Sequence, residues 1–198
     1  IGTTEMVMKY FLMPFLTEFR NKYPLIKMDI SFQDPSKIGM ALTSGQLDLA
    51  ILTTPIEEDE RLGVLSWMEF SDVMLAGNAY SELKEDTYSL QKLVDYPFIT
   101  MRNGMSARVY LERVFLDYGA ALNPVYEAES MPLVLDMLEA GFGIGCAPEF
   151  YAEEALKRKK VFEVHLEKPL PKREICAVYA KGAPGNLARD EFLRIFQE

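Results

Sequence analysis

One histidine and two cysteines are all that 198 residues offer of the side chains that most often carry catalysis, metal binding or cross-linking. His165 lies in a β-type run beside acidic and apolar residues, with no Cys or Ser nucleophile motif around it, so it reads as structural. Cys146, in GIGCAP, has neither metal-ligand spacing to Cys176 nor a histidine beside it, which speaks against a metal site. Both cysteines fall in apolar segments that read as buried strands. That placement suits a reducing, cytoplasmic compartment and leaves no disulfide framework.

Long hydrophobic runs are missing as well. The longest, MVMKYFLMPFL (6–16), is broken by Lys9 and Pro14 and falls short of the roughly 18 residues a membrane helix needs, so no membrane partner is expected. Nor is there an excess of basic charge. The chain carries 21 basic against 30 acidic residues, a net charge of -9, and residues 69–150 alone carry 5 against 13. Such a surface repels a phosphate backbone, so this segment alone is not expected to bind DNA or RNA. The one basic run, 157–160, follows Glu153 and Glu154 on an expected helix and reads as its solvated last turn. GFGIG lacks the third glycine of a dinucleotide fingerprint and precedes a strand instead of following one. No cofactor is expected. The sequence opens on Ile1 without an initiator Met, which leaves room for a leader or a further domain upstream.

What is present is an ordinary globular composition, 49% hydrophobic and 26% charged, in a chain long enough to bury about 70% of its unfolded surface. Short β-type runs alternate with longer stretches of helical period from end to end, the mark of an α/β fold with a largely parallel sheet. Strands are expected near 1–3, 26–32, 47–52, 64–68, 73–76, 98–101, 125–128, 144–147, 161–166 and 175–180. Helices are expected near 5–22, 35–44, 90–94, 106–118, 131–140, 149–159 and 187–197. Two similar halves, 1–52 and 98–147, each run strand, helix, strand, helix, strand. An extended crossover at 66–72 joins them, and the segment after residue 166 returns to the first half. Two crossovers imply two Rossmann-like lobes with a hinge.

In open α/β sheets ligands sit beyond the carboxyl ends of the strands, at the N-termini of the following helices, where N–H groups and the helix dipole favour anions. Four such turns are readable: Thr3, Thr4 and Glu5; Asp34, Pro35 and Ser36; 102–108 with Arg102, Asn103, Gly104, Met105, Ser106 and Arg108; and Glu129, Ser130 and Met131. In a two-lobed fold all four face one interlobe cleft. Thr4, Ser36, Ser106 and Ser130 each also read as helix caps alone, with Asp34 and Ser130 as N-caps. Arg102, just past a strand end, suits a carboxylate or phosphate; Arg108 does too, or pairs with Glu112 one turn on. Met6, Met101, Met105 and Met131 read first as core and second as an adaptable cleft lining. No catalytic residue is expected; an enzyme on this fold would need an acid, base or nucleophile in the cleft, and Glu5 is the candidate for it.

Three segments carry a resemblance. MPFLTEFRNKYP (13–24), LTSGQLDLAI (42–51) and AGFGIGCAP (140–148) resemble, in order and spacing, patterns of the effector-binding domain of LysR-type transcriptional regulators, and the likeness covers the whole chain. It implies a type 2 periplasmic-binding-protein-like pair of lobes, 1–68 with 166–198 and 69–165, and a small-molecule effector between them. A homodimer or tetramer is implied, built through the first helix of one chain against the second lobe of another. So is a winged helix-turn-helix domain before Ile1, through which alone DNA is bound. The family's effector contacts carry over to Thr4 and Met6, Pro35 and Ser36, Gly104, Met105 and Ser106, and Ser130. Pro35 falls where relatives often present a hydroxyl, Met6 where several have Ser or Thr, and Met13 replaces the usual Leu. A free-standing solute-binding protein of a transporter is the alternative on the same fold.

Overall fold

The computed structural model describes residues 1–32, 35–183 and 186–197, the side chains of residues 35, 36 and 197 apart. The chain divides into two compact units, Ile1–Glu69 with Glu174–Glu198 and Phe70–Arg173.

The chain opens with β1 (Gly2–Thr3) and α1 (Glu5–Val7), then a π-helical turn, Met8–Leu12, and α2 (Met13–Lys22). A single helix over 5–22 was expected, and Pro14 is the reason for the interruption. Proline has no N–H to donate and its ring collides with the carbonyl four residues back, whereas a π turn takes in one more residue and relieves both. The buried positions record the extra residue: Val7, Leu12, Leu16 and Phe19 step by five, four and three. β2 (Ser31–Phe32) is the only paired part of the strand expected over 26–32. α3 (Pro35–Thr43), β3 (Ala50–Thr53) and β4 (Leu62–Phe70) follow.

The second unit runs from β5 (Asp72–Gly77) through a 3-10 turn, Asn78–Leu83, to β6 (Thr87–Tyr88), α4 (Leu90–Leu93), β7 (Phe98–Met101), α5 (Ser106–Asp117), β8 (Pro124–Ala128), α6 (Met131–Glu139), β9 (Ile144–Pro148), α7 (Glu149–Lys157), β10 (Val161–Glu163) and β11 (His165–Leu166). Its main sheet has the order β10-β5-β9-β7-β8. β8, β7 and β9 are parallel because α5 and α6 provide the crossovers, whereas β5 and β10 pair antiparallel. The sheet is therefore mixed, not largely parallel: β5 enters from the other unit and needs no crossover helix to fix its direction. Period-two alternation sorts side chains onto two faces. Met74, Phe98, Ile144 and Cys146 pack with α5, and Leu75, Ile99 and Ala147 with α6 and α7. Along α6, Met131, Val134, Leu135 and Leu138 are buried, an i, i+3, i+4, i+7 stripe worth about 1.5–3 kcal/mol per side chain. The AGFGIGCAP segment is fixed by packing. A Cβ at Gly143 would stand 2.1 Å from the Pro97 carbonyl oxygen, so only glycine lets the backbone pass there.

The chain returns on β12 (Arg173–Ala180), which pairs antiparallel with β3, and ends in α8 (Leu187–Gln197). The first unit's sheet has the order β2-β1-β3-β12-β4, again mixed, with β1 parallel to both neighbours. On one face α3 brings Ile38, Ala41 and Leu42 onto Ala50, Leu52 and Val178. Elsewhere in this unit α2 meets α8 through aromatic rings: Phe15 lies 5.6 Å from Phe196, Phe19 5.4 Å from Phe192, and Trp67 of β4 4.6 Å from Phe196. One boundary moves. Residues 166–173, assigned to the first lobe from the sequence, belong to the second unit. There β11 pairs with β6, Leu170 is buried in the core, and the Tyr110 hydroxyl donates to the Pro171 carbonyl at 2.5 Å. The expected strand over 161–166 splits accordingly into β10 and β11.

Candidate functional site

In the first unit the turn after β1 divides its residues by role. Thr3 is fully buried, and its hydroxyl donates to the Ile51 carbonyl at 2.9 Å, tying β1 to β3. It was expected among the ligand contacts, but its side chain is committed to the sheet. Thr4 caps α1, its hydroxyl accepting from the Val7 N–H at 3.3 Å, and stays half-buried beside the half-buried Met6 and the exposed Glu5. Pro35 and Ser36 open α3, but their side chains, and Asp34 altogether, lie outside the described residues.

The second unit brings two turns together. After β7 the chain turns through Arg102, Asn103, Gly104 and Met105 into α5, and Gly104 holds φ +86, a left-handed conformation that a β-carbon disfavours. The Arg102 N–H donates to the Ala128 carbonyl at 2.9 Å, which sets this turn against the end of β8. Arg102 Nη1 then reaches Glu129 Oε1 at 2.5 Å, with the two side chains 65% and 77% exposed. Beside it Ser130 caps α6, accepting from the Leu133 N–H at 3.4 Å. α5 differs, because Met105 at its N-cap offers no side-chain acceptor to the first turn. Met101 and Met131 are buried in the core and Met105 packs partly against the same cluster, so the core reading holds for the first two.

Arg108 is not a surface ligand. Its guanidinium is buried, donates to Thr100 Oγ1 at 2.8 Å, and pairs with Glu112 at 2.7 Å and Glu127 at 3.4 Å. Helical spacing anticipated the Glu112 partner as the alternative role, and it is the role observed. His165 stands exposed on β11. The basic run is a solvated face, with Lys157 paired to Glu153 at 2.5 Å and Arg158 to Glu154.

Sequence reasoning missed a charged pair in this unit. Arg173 Nη1 meets Asp72 Oδ2 at 3.4 Å with both side chains at most 3% exposed, and Arg173 Nη2 donates to Ser106 Oγ at 3.4 Å. The guanidinium lies over the rings of Phe70 and Tyr110, 5.1 and 5.0 Å from their centroids. Burial pushes the Asp72 carboxyl above its ordinary range against the pull of Arg173, and pushes the Tyr110 hydroxyl and Cys146 thiol up as well. The available signal was a charged residue opening each of two strands, DVMLAG and REICAVYA, the second of which is apolar only after Glu174.

The first unit also holds a cavity of about 260 Å³ lined by Lys27, Asp48, Arg189 and Phe192. Ile1 lines it too, so it lies at the start of β1 and not at the turn that follows it. Among the described residues no group of three or more His, Cys, Asp or Glu side chains could hold a metal ion, and no helix is long and apolar enough to cross a membrane.

The family model for the LysR substrate binding domain matches residues 1–198. The chain belongs to the LysR substrate-binding domain family. A curated relative, the HTH-type transcriptional regulator cbl of Escherichia coli (strain K12), is 23% identical over 149 residues, 75% of this chain and 47% of the relative. The chain thus spans about half the length of the curated relatives it matches. Among solved structures, the effector-binding domain of QuiR in complex with shikimate aligns with a TM-score of 0.85 at 17% identity, covering 99% of this chain and 93% of that one. The regulatory domain of CcmR from Synechocystis PCC6803 in complex with 2-PG gives 0.85 at 19% identity and the same coverages. At these identities the likeness shows a shared fold. The family match supports a regulator's domain over the free-standing solute-binding protein.

Proposed function

We propose that this LysR substrate-binding domain senses a small effector for a transcription regulator whose DNA-binding winged helix-turn-helix lies upstream of Ile1, and that it does so by binding, without catalysis. The effector is a polar metabolite, anionic or amino-acid-like, held by the strand-end turns of both units. Thr4, Met6 and the Pro35–Ser36 start of α3 serve from the first unit, and Arg102, Gly104, Met105, Ser106 and Ser130 from the second. Assembly is as a homodimer or tetramer. The observation that carries this reading is the junction of the 102–106 and 129–130 turns, where the Arg102 N–H donates to the Ala128 carbonyl and so sets the start of α5 beside the start of α6. Polar hydroxyls, an exposed arginine with its glutamate, and a methionine there suit a ligand with an oxygen-rich head and an apolar part. The resemblance to complexes of shikimate and 2-PG agrees with a ligand of that size and polarity.

A thermal-shift panel of carboxylates (shikimate among them), amino acids, sugar phosphates and inorganic anions tests it. A ligand at 100 times its dissociation constant adds about 2.7 kcal/mol of stability. A saturable shift with one member of the panel is the expected result. A flat panel speaks against an effector of this class.

A further inference from the structure

Asp72 and Arg173 are 101 residues apart in sequence and meet inside the second unit. Their positions in the chain are specific. Asp72 opens β5, two residues after the chain enters the unit at Phe70, and Arg173 is the last residue before it leaves. Burying such a pair is not an efficient way to stabilise a fold, since well-packed apolar residues commonly do as well; its attested use is to fix one arrangement. What it fixes here can be read from the guanidinium. One terminal nitrogen faces Asp72, the other donates to Ser106 in the first turn of α5, and the planar face lies over Phe70 and Tyr110. Tyr110 lies four residues after Ser106 on the same helix face, so α5 presents both to Arg173.

We propose that Arg173 is a positioning residue for the effector turn. It fixes the orientation of the Ser106 hydroxyl, and through Asp72 it links that hydroxyl to both points at which the chain passes between the units. A change at Ser106 is thereby felt where the two connecting strands begin. The functional meaning of this link rests on the effector reading above, but the link itself is measurable with no effector present. Arginine is required because its fork serves two acceptors at once, whereas a lysine ammonium aimed at Asp72 releases Ser106.

The test is amide hydrogen exchange on the 198-residue chain, comparing wild type with Ser106→Ala, Arg173→Lys and the double variant. Ser106→Ala removes one partly buried hydroxyl and should leave the chain folded, so it decides the matter even if Arg173→Lys does not fold. Exchange should quicken at 106–109 and also at 72–75 and 173–176 by roughly ten-fold or more, the scale of losing one hydrogen bond to a charged group. The amides of α6 should keep their wild-type rates, and the double variant should exceed Arg173→Lys by less than the single effects combined. Faster exchange confined to 106–109 in Ser106→Ala, or additive effects in the double variant, overturns the proposal. Failure of the ligand panel with these amides coupled would count against the effector reading alone.

Discussion

The guanidinium of Arg108 donates to the hydroxyl of Thr100 at 2.8 Å beneath the sheet end, and pairs with Glu112 one helical turn on. The arginine therefore joins β7 to α5 instead of facing a ligand. Removing it takes a charged donor away from a buried hydroxyl, which keeps its own bond to the Met101 carbonyl at 2.9 Å, and from two half-exposed carboxylates. Arg108→Ala should cost about 2–3 kcal/mol, the scale of hydrogen bonds to a charged group, without altering effector specificity. Urea unfolding measures the first part and calorimetry with the panel's hit the second. A stability unchanged from wild type would contradict the structural role.

Gly143 and Pro97 make a second, purely steric prediction. A methyl group at Gly143 would overlap the Pro97 carbonyl oxygen at 2.1 Å, and that contact is backbone, which cannot swing aside. Gly143→Ala should lose at least about 1–3 kcal/mol. By contrast, Gly104→Ala meets no atom within 4 Å and bears only the penalty of its positive φ, about 1 kcal/mol. Comparing thermal midpoints of the two variants orders them, and equal midpoints would contradict the packing account.

The thiols should be silent in the native state. Burial pushes Cys176 up to about 11, aided by Glu174 beside it, and pushes Cys146 well above its ordinary value. Because the thiolate is the nucleophile, at pH 8 only roughly one Cys176 in a thousand is reactive, and the rate climbs as pH approaches that pKa. Mass spectrometry after iodoacetamide should find no carbamidomethyl group on the folded chain and two on the urea-unfolded one. Rapid modification of the native chain at pH 8 would show that these strands open readily.

Arg102 and Ser130 should separate stability from binding. The Arg102–Glu129 pair is mostly exposed, and exposed pairs contribute little, so Arg102→Ala should leave stability within about 0.5 kcal/mol of wild type. Ser130→Ala removes the α6 cap and should cost about 1 kcal/mol. Both should weaken the effector at least several-fold by calorimetry. Wild-type affinity in both variants would move the site away from these turns.

Much of this was legible because periodicity reports burial. α5, α6 and α8 and the strands at 98–101, 125–128 and 144–147 lie where apolar spacing put them. Directions of the antiparallel strands were not legible, since a short apolar run carries no sign of its partner's polarity. Nor was the π turn, whose cause, Pro14, was read only as a break in a hydrophobic run. In the site, chain position located the turns, but whether a side chain faces inward depends on partners far along the chain. For that reason Thr3 was read toward a ligand and Arg108 was left between a ligand and Glu112, and the same long-range pairing hid Arg173 and Asp72.

The most direct measurement of the central claim is a nuclear magnetic resonance titration of the chain with the effector found in the panel, following backbone amides. Thr4, Gly104, Met105, Ser106 and Ser130 should shift together and fit one dissociation constant, with α3's first turn joining them. Shifts gathered instead around Lys27, Asp48 and Arg189, with those turns unmoved, would place the ligand in the first unit's cavity and contradict the account.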